Sequence, residues 1–331
     1  MISEYALEPG LVATWHDGYN SNFFKEKFGL STGRLVAIYP RNWAKLTWEA
    51  FNQGPFAGKD TARKNLDIWL SYLSQNGVKR RNSHPDKLVW LERTEAEHSE
   101  RPFHAIISED NPRSCPSVIC APQLLESGDT RWNVRRDQVV QRTAEALVAA
   151  AAPLLRLSRH ALFIDPYFSP GQERFRKPFA GFLNELFACH YGISEPIVEL
   201  HTGIDRMLSN TGGDSLTRQQ RVTEHLIDQM RTHLPRTIPR GRTVRVFIWK
   251  ERPQGERLHN RYILTDIAGI LFGTGLDESS DPQSSETDDL TLLSRELLDC
   301  RWYQYKSMPS AFEPATEAFD IEGTRKVETA Q

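Results

Sequence analysis

The run Leu258-His259-Asn260-Arg261-Tyr262-Ile263-Leu264-Thr265-Asp266 holds the residues best suited to chemistry in this 331-residue chain. The run is rich in β-formers, and side chains alternate faces along a strand. His259 and Arg261 are therefore expected on one face, a nucleophile or acid/base beside a fixed positive charge. Such a pair suits a phosphodiester. Positive donors neutralise the phosphate oxygens, a neutral imidazole attacks phosphorus, and a second acid protonates the leaving oxygen. Asp266 follows Arg261 at a short interval, and Gly273-Thr274-Gly275-Leu276-Asp277 comes next.

Composition bounds the reading. Hydrophobic residues make up 39% and charged residues 25% of the chain, with a net charge of −2. That describes a globular protein with material for a sizeable core. No apolar run approaches the roughly 20 residues a membrane span needs, and no basic-then-apolar leader opens the sequence. Cys115, Cys120, Cys189 and Cys300 are few and scattered, without a metal-type cluster, so a reducing cytoplasm is the expected setting. The clusters Lys79-Arg80-Arg81, Arg135-Arg136 and Arg236, Arg240, Arg242, Arg245 are read as solvated surface.

The elements that must position these residues follow from periodicity. Residues 1–132 read as a smaller α+β domain. It has strands over Arg34–Tyr39, Lys87–Arg93 and Phe103–Ser108, and helices across Trp43–Ala50 and over Thr61–Gln75. Trp15, Trp43, Trp48, Trp69, Trp90 and Trp132 fall here, out of eight in the chain. Aromatic residues at these spacings are expected in a core rather than on a stacking platform. Residues 109–133, with their Pro, Ser, Gly and Asp, read as a linker. From Asp137 the pattern alternates helix and strand. Helices are expected over Val140–Leu157, Arg174–Tyr191 and Leu216–Leu234. Strands are expected over Ala161–Asp165, Pro196–His201, Thr243–Lys250, Leu258–Thr265, Gly269–Gly275 and Leu290–Leu293. This is an α/β sheet covered by helices, spanning 133–310, with a tail over 311–331.

The spacing of His259, Arg261 and Asp266 resembles the phospholipase D superfamily motif, His-x-Lys-x4-Asp followed by a Gly-Ser-x-Asn element. Here Arg261 stands for Lys and Leu276 for Asn. Leu258-His259-Asn260-Arg261 and Gly273-Thr274-Gly275-Leu276-Asp277 are similar to the start and end of the phospholipase D-like domain at the C-terminus of MIT proteins. The likeness covers about residues 137–305. It implies a mixed sheet flanked by helices and a metal- and cofactor-independent phosphodiesterase. It also implies a nuclease effector in prokaryotic antiviral defence, working with a partner ATPase or other subunit on nucleic acid, DNA above all.

The superfamily supplies its second His from another copy of the motif, and this chain has one copy, so catalysis implies a homodimer. In these terms His259 is nucleophile or acid, Arg261 the phosphate clamp, Asp266 a brace and Glu296 an orienter of His259. Asp165 and His201 end strands where α/β sites gather. With Gly273 and Thr274 they are candidate substrate-binding residues. A second class of reading is a phosphate-binding module, for nucleic acid or anionic headgroups, that does not cleave. A third is a subunit of a larger assembly docked through its Trp-rich first domain.

Overall fold

A computed structural model describes residues 1–16, 26–80, 84–85, 88–121, 129–188, 195–209, 215–281, 283–307 and 310–326. Arg81 and Cys189 lie outside these, as do parts of the expected linker and of the end of the Arg174–Tyr191 helix. The described residues fall into two compact units, one running to Arg136 and one beginning at Asp137.

The first unit is built on five strands: β1 (Ser3–Leu7), β2 (Arg34–Ile38), β3 (Val78–Lys79), β4 (Ala105–Ser108) and β5 (Val118–Cys120). They lie in the order β3-β2-β1-β4-β5, and every pairing is parallel. This is an α/β arrangement where an α+β one was expected. Both faces are covered, as parallel sheets require. Tyr5, Leu7, Val36 and Ile107 join one core with α2 (Trp43–Gln53) and α3 (Asp60–Asn76). Their strand neighbours Ala6, Ala37 and Ile106 join a second core on the other face with α4 (Trp90–Glu100). A short helix, α1 (Pro9–Ala13), follows β1.

Trp15, Trp43 and Trp69 are buried in the first core, as read from the sequence. Of the expected strand over Lys87–Arg93, Lys87 lies outside the described residues and Trp90–Arg93 are instead the start of α4. Its apolar run is too short to separate strand from helix, and Leu91, Thr94 and Glu97 bury one helical face. The expected linker contributes β5. Arg80, read as solvated, is buried against Glu4 at 2.6 Å and Glu97 at 3.1 Å.

The second unit carries β6 (Asp137–Gln141), α5 (Ala144–Leu157), β7 (His160–Ile164), α6 (Glu173–Phe187), β8 (Ile197–Gly203), α7 (Asp205–Ser209), α8 (Ser215–His233) and β9 (Thr243–Lys250). Then come β10 (Arg261–Thr265), β11 (Gly269–Phe272), β12 (Thr287–Leu292), α9 (Arg295–Lys306), β13 (Glu313–Pro314) and β14 (Phe319–Glu322). The sheet order is β13-β9-β8-β7-β10-β11-β12-β6, with β14 also on β9. The segment read as a tail thus completes the sheet. Strands β7, β8 and β9 are parallel, and the remaining pairings are antiparallel.

The helix expected from Val140 begins at Ala144, where the Thr143 hydroxyl accepts a hydrogen bond from the Ala146 N–H. Val139 and Val140 belong to edge strand β6. In α6, Phe175, Phe179, Phe182 and Leu186 are buried at helical spacing, and Phe179 meets Phe163 of β7 at 5.2 Å. Among the described residues no helix is long and apolar enough to cross a membrane.

Candidate functional site

The carboxyl ends of β7, β8 and β9 and the amino end of antiparallel β10 meet at one edge of the sheet, where crevices form in α/β folds. Two cavities open there. The larger, about 480 Å³, is lined by Tyr167 after β7, Asp205 and Arg206 after β8, Glu251 and Arg257 after β9, and Arg261 at the head of β10. The smaller, about 170 Å³, is lined by Asp165, Arg142, Arg174, Thr274 and Asp277. Tyr167, Arg206 and Arg261 line both.

Arg261 is the hub. Its guanidinium carbon lies over the Tyr167 ring, 4.5 Å from the centroid, and that of Arg206 lies 5.3 Å from the same centroid. The Nε of Arg261 is buried, and no described residue accepts its hydrogen bond. Nor do Arg206, Arg257 and Arg261 form an ion pair among the described residues. Arg142 and Arg174 are engaged, at 3.0 and 2.9 Å from the two oxygens of Asp277. A Cβ at position 275 would fall 2.2 Å from Asp277 Oδ1, so any other residue there would push that carboxylate off Arg142.

Asp165 is buried at the end of β7. Its oxygens accept the N–H groups of Tyr167 at 2.9 Å and Leu276 at 3.2 Å. Burial pushes its carboxyl up to about 6, and Asp277 adds to this, against those N–H groups and Arg261. Burial likewise raises the carboxyl of Asp205. Thr274 lines the smaller cavity, and its N–H donates to Asp288 Oδ1 at 2.8 Å. Gly273 lines neither cavity, and a Cβ there would lie 3.0 Å from that oxygen, a tight contact.

Three sequence expectations need correction. First, β10 begins at Arg261, so strand alternation does not govern His259. His259 is exposed, with Nδ1 3.2 Å from the Arg257 carbonyl, and lines neither cavity; Leu258 is the buried neighbour. Second, Glu296 is exposed in the first turn of α9, whose cap is the Ser294 hydroxyl accepting from Leu297 N–H. There its own backbone N–H and the Ser294 hydroxyl hold its carboxyl low, and it orients nothing in the cleft. Third, His201 is fully buried beneath α9, away from the cavities.

His201 belongs to a buried charge cluster. The Trp249 indole N–H donates to its Nδ1 at 3.0 Å. Indole can only donate, so His201 carries its proton on Nε2 and donates a hydrogen bond from it to Glu199 at 3.1 Å. Glu199 also receives His160 at 2.8 Å and Lys306 at 2.6 Å. Burial alone would raise the Glu199 carboxyl, but these partners outweigh it and hold it well below the usual range. Burial lowers the His201 imidazole. His160, read as a helix-end charge, is part of this cluster.

Asp266 stands at the other end of β10 from Arg261. It accepts the N–H groups of Arg159 at 2.9 Å and His160 at 3.2 Å, joining the β10–β11 turn to the start of β7. Sequence reasoning missed Tyr167, Arg206, Arg257, Arg142, Arg174, Asp205 and Glu251 as site residues. The usable signal for Arg142, Tyr167, Asp205, Arg206 and Glu251 was their position just beyond a strand end; Arg174, in α6, and Arg257 lacked it. Among the described residues no group of three His, Cys, Asp or Glu could hold a metal ion.

No protein-family model matches the chain, and no curated protein matches it. Among solved structures, the crystal structure of polyphosphate kinase from Porphyromonas gingivalis is similar at 11% identity and a TM-score of 0.29. The match covers 59% of this chain and 31% of that one, so the chain spans about a third of that protein. TrmBL2, an archaeal chromatin protein described with a novel mode of DNA binding, is similar at 9% identity and a TM-score of 0.24, with 83% of each chain covered. Likenesses this slight carry no argument about activity.

Proposed function

We propose that the second unit is a phospholipase D-like phosphate-recognition domain whose ligand is a nucleic acid phosphate. The observation that carries this reading is Arg261. A guanidinium with a buried, unaccepted N–H, beside Arg206 and Arg257, offers charge-assisted hydrogen bonds to an anion. Phosphate supplies the acceptors that the described residues do not.

The test is fluorescence anisotropy of the full chain with labelled oligonucleotides across a salt series. Binding should weaken as salt rises, and Arg261→Gln should abolish most of it. No binding at low salt, or tighter binding to anionic vesicles than to oligonucleotides, would sink the nucleic acid reading.

A second reading adds cleavage: a metal-independent phosphodiesterase acting as a nuclease effector of antiviral defence. The exposure of His259 favours it, because a second copy can reach that imidazole and supply the missing acid across a two-fold axis. Cleavage that persists in EDTA and disappears in His259→Ala would support it. Cleavage unaffected by that substitution would remove it.

A further inference from the structure

Phosphate alone leaves part of the cleft unexplained. Asp277 is matched by Arg142 and Arg174, and Asp165 is occupied by two backbone N–H groups. The larger cavity, however, holds Glu251 and Asp205 beside its arginines. Glu251 Oε1 accepts the Leu258 N–H at 2.8 Å, and no described residue donates to its Oε2. Among the described residues, Asp205 accepts backbone N–H groups alone, that of Glu251 at 3.2 and 3.4 Å and its own. An ionised carboxylate can only accept. A ligand that places its anion on arginine and also satisfies these oxygens must bring hydrogen-bond donors of its own, close to the anion.

A ribose phosphate has that pattern, and a deoxyribose phosphate lacks its 2′-hydroxyl. We propose that the cleft selects ribonucleotides, with the phosphate on Arg261 and Arg206 and the ribose hydroxyls donating to Glu251 and Asp205. Because Tyr167, Arg206 and Arg261 line both cavities, one ligand can reach from one to the other. The larger cavity, about 480 Å³, falls within the size range of small-ligand sites. The inference rests on the phosphate reading. The ligand is either a free nucleotide or an RNA strand.

The experiment is calorimetry of the full chain in two arms. One compares adenosine 5′-monophosphate with its deoxy analogue, and the other compares RNA and DNA oligonucleotides of one sequence. Base donors are shared within the first pair, so a difference isolates the hydroxyl. A ribo preference of about tenfold or more is expected, since a site built around a hydroxyl rejects the analogue without it. A preference in the nucleotide arm alone identifies a free nucleotide, and one in the oligonucleotide arm alone identifies an RNA strand. Glu251→Gln, with its fold checked by circular dichroism, should shrink the preference while sparing deoxy affinity. Equal ribo and deoxy affinities would overturn the selectivity and leave phosphate binding standing. No binding in either arm would overturn both. A preference undiminished by Glu251→Gln and by Asp205→Asn would overturn the assignment of these carboxylates.

Discussion

The guanidinium carbon of Arg261 lies 4.5 Å from the centre of the Tyr167 ring, which also takes Arg206 at 5.3 Å. The aromatic face stabilises both cations and holds them at the wall the two cavities share. Two guanidinium groups on one ring repel each other, and a bound anion relieves that repulsion. The pair gives the cleft a fixed positive end, and the remaining residues qualify what it can hold.

Replacing Arg261 tests this directly. Hydrogen bonds to charged groups contribute about 1.5–3 kcal/mol each, so Arg261→Gln should weaken phosphate ligands by roughly 10- to 100-fold. Arg261→Lys should recover only part of the loss, because a point charge cannot reproduce the planar fork. Calorimetric titration checks it; a Lys variant equal to wild type would show that charge alone matters.

Asp165 sets a pH dependence. With its carboxyl raised to about 6, the group is ionised at neutral pH and opposes an anionic ligand. Affinity for a phosphodiester should therefore rise as pH falls from 7.5 to 5. Asp165→Asn should flatten that rise and bind more tightly at pH 7.5. The linkage to stability has the same sign. A raised carboxyl contributes stability below its ordinary value of 3.8, and this is lost as pH climbs through about 6. A variant with the wild-type pH profile would refute the assignment.

Glu199 matters for stability rather than binding. Removing one member of a buried ion pair costs about 3–5 kcal/mol, so Glu199→Gln should lower the urea midpoint markedly. Lys306→Met in the same chain should recover part of it. Because its carboxyl is held low, its contribution is present above the usual carboxylate value of 4.5 and fades as pH falls below it. The gap between wild type and variant should narrow in acid. A constant gap would mean that the cluster acts by packing alone.

His259 separates binding from cleavage. It is exposed and lines neither cavity, so His259→Ala should leave stability within about 0.5 kcal/mol and phosphate affinity unchanged. Any phosphodiester cleavage by the chain should fall to background in the same variant. Loss of binding on this substitution would contradict the position of the side chain.

Whatever repeats along the chain is legible in residue order alone. The periods of 2 and 3.6 placed most strands and helices of the second unit, because alternation and helical spacing reflect burial on one face. Helical spacing carried Trp43 and Trp69, and the aromatic character of the first unit pointed to a core that also holds Trp15. Asp266, which the resemblance implies as a brace of the motif, instead joins the β10–β11 turn to the start of β7, at the far end of β10 from Arg261. Tertiary structure decided the rest. Where β10 starts separates His259 from Arg261, and residue spacing cannot show where a ladder of hydrogen bonds begins. Arg80 is turned inward by Glu4 and Glu97, partners distant in the chain. Arg142, Arg206, Arg257 and Asp277 reach the two cavities from segments that follow β6, β8, β9 and β11, and strand order is not written in any local pattern. The motif located the arginine; the fold supplied its Tyr167 support, its companion cations and the carboxylates that face them.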